Sequence, residues 1–149
     1  SIIGQNYGAK QYKRVIETYK KGIKIGVMVL SLLGLIIFLT ADIAMNLFTD
    51  NANVKQYGSD YLKISALMFP AFPFFFIGNA TFQGLKRAII VMYMAIMRFV
   101  LMPLILVSII LYQIGENYNL IFFSLAAMHW IIGLSYYYYC KKKYKTILN

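Results

Sequence analysis

The sequence predicts an all-α membrane protein: a polytopic transmembrane bundle of four spanning helices, led by an amphipathic helix at the membrane interface. Three observations predict it. Four apolar stretches cover about 22–48, 61–83, 88–112 and 120–140. Each is near or above the ~20 residues that carry an α-helix across the hydrocarbon core of a bilayer. The 149 residues are 60% hydrophobic and 13% charged, with a mean hydropathy of +0.63. No water-soluble core of this size hides four such stretches. Finally, the basic residues alternate with each crossing. Twelve Lys and Arg fall in the first, third and last polar segments, only Lys55 and Lys63 in the second, and none in the fourth, which carries Glu116. The positive-inside rule then places both ends in the cytoplasm and the second and fourth joints outside.

The elements follow in order. Residues 1–21 read as a cytoplasmic loop and amphipathic helix. Ile16, Tyr19 and Ile23 recur at helical spacing, while Lys13, Glu17, Lys20 and Lys21 fall elsewhere, which suits a helix at the interface. Gly4 and Gly8 loosen or turn the backbone ahead of it. The first span ends around residues 42–50, where Asp42 takes an interfacial, snorkelling position. Asn51-Ala52-Asn53 reads as a turn, and residues 54–63 as a short helix entering the second span. That span holds Pro70 and Pro73, then Gly78. Each proline removes a backbone donor, so the helix kinks or opens there. Residues 85–87 are too short a link for anything but an antiparallel hairpin. The third span carries Arg98 and Pro103. The fourth carries His129 and Trp130, then a tyrosine run at 136–139 that reads as an interfacial aromatic belt before the solvated, cytoplasmic tail at 141–149.

Several functions are excluded. The net charge of +10 is spent on topology and on anionic lipid head groups, and no soluble basic face offers itself to nucleic acid. The chain holds no phosphate-binding glycine loop, no HExxH and no CxxC pair. Cys140 is the one cysteine; it reads as a small apolar residue, and no metal site is expected. No nucleophile lies near a base and no two carboxylates form a pair, so no enzyme activity and no catalytic residue is expected. No signal peptide is evident. Ser1 enters what looks like the end of an element, so the chain reads as a C-terminal fragment.

Gly4-Gln5-Asn6-Tyr7-Gly8-Ala9, followed by a basic amphipathic stretch, resembles the G-Q-x-x-G-A hallmark of the multidrug and toxic compound extrusion family. Asn46-Leu47-Phe48-Thr49-Asp50, Tyr61-Leu62-Lys63-Ile64, Phe82-Gln83-Gly84-Leu85-Lys86 and Met97-Arg98 with Pro103 are similar to further family segments in the same order. Gln83 stands where an Arg is usual. The resemblance covers essentially the whole chain and matches helices nine to twelve of a two-lobe, twelve-helix transporter. It implies a plasma-membrane secondary antiporter that exports organic, often cationic, drugs or metabolites in exchange for Na⁺ or H⁺, with no other cofactor. Its partners would be membrane lipids, small organic substrates and the remaining N-terminal lobe. On this reading residues 1–149 alone transport nothing. The second span has no carboxylate between Asp60 and Gly84, so ion coupling, if present, is expected in other helices or through a different arrangement. The alternatives are a lipid-linked oligosaccharide or polysaccharide flippase of the same superfamily, or a small non-transporting four-helix membrane scaffold or subunit.

Within that frame, Asn79, Gln83, Phe72 and Phe76 are candidates to line a substrate cavity. Asn79 and Gln83 share a helix face, and phenylalanine rings suit a cationic ligand. Interhelical hydrogen bonding for the amides and lipid contact for the rings stand as the competing roles. Arg98 and His129 are the intramembrane charge and gating candidates. An intramembrane charge usually faces protein or water, and a structural salt bridge or carbonyl contact is the leading role for Arg98. His129 can carry a proton near neutral pH, though a satisfied structural histidine is the commoner case.

Overall fold

The computed structural model describes residues 1–113 and 118–148. Glu116, the acidic residue of the fourth joint, lies outside them. The described residues are all helical, with no strand. Four helical stretches are long and apolar enough to cross a membrane: Tyr12–Phe48, Ala52–Gly84, Ala88–Ser108 and Asn119–Lys142.

Helix α1 spans Ile2–Gly8. The glycines expected to loosen this segment sit inside it, and the chain turns after it instead, at Lys10, whose φ is 57°. Helix α2 then runs unbroken from Tyr12 to Phe48. The amphipathic stretch is therefore not a separate leading helix but the first turns of the first span. Its buried face is set by Val15, Tyr19 and Ile23, a spacing of four that keeps them on one side. Packing on that side removes any reason for a break at Gly22.

Helix α3, Ala52–Ala66, begins at an Asn51 cap whose side-chain oxygen accepts from the amides of Asn53 and Val54 at 3.0 and 3.2 Å. Such a cap supplies the acceptors that a helix start lacks. Lys63 of α3 reaches Asp42 of α2 at 2.8 Å, and the Ser59 hydroxyl donates to the same carboxylate. Asp42 is thus exposed and tied to α3 by Lys63 and Ser59.

The paired prolines open the second span as predicted. After α3 comes a single 3₁₀ turn, Phe69–Ala71, then α4 at Phe72–Gly84. The bonds here shorten: the Met68 amide donates to Ser65 and the Ala71 amide to Met68, both at 2.9 Å. That leaves the Leu67 carbonyl without its usual donor, and the Trp130 indole N–H donates to it at 2.9 Å. Pro70 likewise frees the Ala66 carbonyl. Gly34 of α2 lies against it so closely that a Cβ would stand 2.7 Å from that oxygen.

A hairpin at residues 85–87, with Lys86 at φ 59°, leads into α5, Ala88–Ile96. The third span is not uniform. A π turn at Met97–Leu101 separates α5 from α6, Met102–Gln113, and the Met102 amide donates to the Met97 carbonyl. Pro103 has no amide to return to Phe99, which favours the wider turn ahead of it.

Helix α7 covers Tyr118–Leu148, so much of the tail expected to be solvated is helix. Tyr136, Cys140 and Tyr144 recur at a spacing of four and are all buried. Tyr136 therefore belongs to the core rather than to an interfacial belt, while Tyr138 is 66% exposed. Cys140 behaves as the small apolar residue expected. Ile3, Val15, Tyr19, Phe82, Leu85, Tyr136 and Tyr144 form one apolar cluster. It gathers α1, the start of α2, the hairpin and the end of α7 at one end of the bundle. Elsewhere α2, α5 and α6 turn most of their apolar surface outward, Leu32, Leu39, Met92 and Leu104 among them. Such a surface belongs against lipid or other membrane helices.

Candidate substrate and gating site

The π turn sets Arg98 facing inward toward α4, 6% exposed. Its guanidinium carbon lies 4.1 Å from the centre of the Phe75 ring and 5.3 to 5.5 Å from those of Phe99, Phe72 and Phe76. Among the described residues no ion pair or carbonyl contact joins Arg98, so the expected salt bridge or carbonyl partner is replaced by a cage of rings. The reason lies in α4. It offers no carboxylate at this level but a block of phenylalanines, whose faces carry the negative end of the ring quadrupole. A guanidinium is weakly hydrated and planar, which makes it the cation that best tolerates such a site.

Phe72 is the hub of the cluster. It meets the Phe76 ring at 6.1 Å, and the His129 ring stands edge-on to it at 5.6 Å and 88°. His129 Nδ1 lies 2.9 Å from the Leu125 carbonyl. A carbonyl can only accept, so Nδ1 carries the proton and Nε2 holds the free position. The structure thus brings together four of the six candidates: Phe72, Phe76, Arg98 and His129. Phe76 and Phe99, 55% and 62% exposed, form the open side of the cluster.

The other two stand apart. Asn79 accepts a 2.7 Å hydrogen bond from the Tyr136 hydroxyl, joining α4 to α7. Gln83 is exposed beside the hairpin. Sequence reasoning passed over Phe75 as a site residue, although it is the ring nearest the guanidinium, and missed Phe99 altogether. The phenylalanine block was visible, but which of its rings meet Arg98 depends on the π turn, which a single sequence does not reveal. Trp130 was also missed, and its role depends on a carbonyl 63 positions away. Beside it lies a cavity of about 550 Å³ between α2 and the proline break, lined by Gly34, Phe38, Ala66, Pro70 and Trp130 among others.

A multi-pass helical bundle with a broken span and a buried cation has the frame of a membrane protein. The MatE family model matches residues 1–109, from α1 through most of α6, and the chain belongs to this family of transporters. No curated protein matches the chain.

Proposed function

We propose that the chain serves in a secondary antiporter that exports organic, often cationic, compounds in exchange for Na⁺ or H⁺. The observation that carries this reading is the MatE match over residues 1–109. In this proposal Phe72, Phe76, Asn79 and Gln83 belong to the substrate path, and Arg98 and His129 to its gate. The clustering of Phe72, Phe76, Arg98 and His129 supports that assignment. Among the described residues this positive charge is held by rings and not by a counter-ion, so its position responds to any charge that enters nearby. Na⁺ or H⁺ would bind on helices other than these, working with an opposing lobe as related-half transporters do. The protein would lie in the plasma membrane with its three basic segments in the cytoplasm.

The test is efflux of a fluorescent organic cation from cells expressing the complete gene. Dye retention should fall on expression. Collapsing the Na⁺ or the proton gradient in turn should restore it for the coupling ion alone. Equal retention in expressing and control cells would sink the reading.

A further inference from the structure

A groove of about 420 Å³ lies between the basic ends of α2 and α7, lined by Ile16, Tyr19, Lys20, Tyr137, Lys141 and Tyr144. Nothing in the transport reading uses it. Its floor is aromatic: Tyr19 stacks on Tyr137 at 6.3 Å and meets Tyr144 edge-on at 4.9 Å. Lys20 and Lys141 stand exposed at its rim, and among the described residues neither is paired with a carboxylate. Glu17, the acid nearest Lys20 on α2, is held by Lys21 at 3.0 Å.

The two lysines also share a depth. Lys20 comes just before the apolar run of α2, and Lys141 just after that of α7. Both ammonium groups therefore sit where hydrocarbon gives way to head groups. Leu134, one helical turn before Tyr137 on the same side of α7, is 40% exposed and continues the groove wall into the apolar layer. We infer that this groove binds an anionic phospholipid, its phosphate between Lys20 and Lys141 and an acyl chain along α7.

Two effects compete in choosing the lipid. Tyrosine faces alone would suit the quaternary ammonium of a choline head group. Two uncompensated lysines repel that cation and attract a phosphate, and near a membrane surface the charges decide. Phosphatidylglycerol keeps the phosphate and lacks the cation.

The experiment is native mass spectrometry of the purified full chain in detergent with equal amounts of phosphatidylglycerol and phosphatidylcholine. Phosphatidylglycerol should be retained preferentially. Lys20→Gln with Lys141→Gln should weaken that binding about thirtyfold, two basic residues each contributing on the order of tenfold or less. Lys13→Gln with Arg14→Gln removes the same charge from exposed positions outside the groove and should change binding less than about threefold. Inorganic phosphate and free glycerophosphoglycerol should not displace the lipid. Equal retention of the two lipids, equal weakening by the two variant pairs, or displacement by inorganic phosphate would each overturn the inference.

Discussion

Among the described residues Arg98 has no opposite charge beside it, so its substitution separates two ideas about buried cations. Removing one member of a buried ion pair destabilises strongly because the partner is stranded. Here the partners are rings, and nothing is stranded. Arg98→Met should therefore keep or raise the thermal midpoint in detergent while abolishing dye efflux if Arg98 serves the gate. A midpoint lowered by more than about 3 °C, as loss of roughly 1 kcal/mol or more would give in a chain of this size, would mean that the guanidinium is holding structure. The Asn79–Tyr136 pair makes the opposite case, a hydrogen bond with a definite donor and acceptor. Tyr136→Phe removes the donor and should cost about 1 kcal/mol. Asn79→Ala leaves a phenol in the core without its acceptor and opens space, and should cost about 2 kcal/mol. Thermal unfolding of the two variants in the same detergent gives the order, and a reversed order would show that the amide, not the phenol, is the group that needs its partner.

Pro70 and Pro73 do more than bend the second span; the carbonyls freed at this break, by Pro70 and by the 3₁₀ turn beside it, are where other helices attach. Trp130 takes the Leu67 carbonyl, and Gly34 admits the Ala66 carbonyl against α2. Gly58 of α3 offers a comparison on the same helix pair. An added Cβ there would meet the flexible end of Met45, whereas one at Gly34 would meet backbone. Gly34→Ala should therefore lower stability by about 1–3 kcal/mol, as overpacking does, and Gly58→Ala by clearly less, because a methionine side chain moves aside. Equal losses in thermal melts would disprove the distinction. The prolines announce this break in the sequence because their effect is local. Gly34 and Trp130 do not, since what they touch depends on how distant helices align. The same holds for the tyrosines of α7. Lys141 and Lys142 beside Cys140 read as a solvated tail, yet Tyr136, Cys140 and Tyr144 form one buried stripe while the lysines project from another side. The four spans were legible from composition and length alone. The site was half legible: its residue types stand out in the apolar runs, but the turn that joins Arg98 to Phe75 and Phe99 does not.

At the scale of the whole molecule, folding draws the first basic segment, the hairpin and the end of α7 into one apolar cluster, so three positive regions separated in sequence share one end of the bundle. The Asp42–Lys63 pair and the Asn51 cap lie on the α2–α3 connection, one crossing of α2 away from that cluster. A field of one sign at one end is what orients a multi-pass protein toward the cytoplasm. Cys140 is fully buried, so the natural chain offers little background to a membrane-impermeant maleimide, and single cysteines can report the sides. Asn51→Cys should be labelled in intact cells. Lys10→Cys and Arg87→Cys, both on exposed residues, should be labelled only after the membrane is permeabilised. Labelling of position 10 but not 51 in intact cells would invert the protein and would assign the basic end to the outer surface. Labelling of 10 and 87 on different sides would contradict the bundle itself, because α1 and the hairpin pack together at Gly4 and Gly84 and must lie on the same side of the membrane.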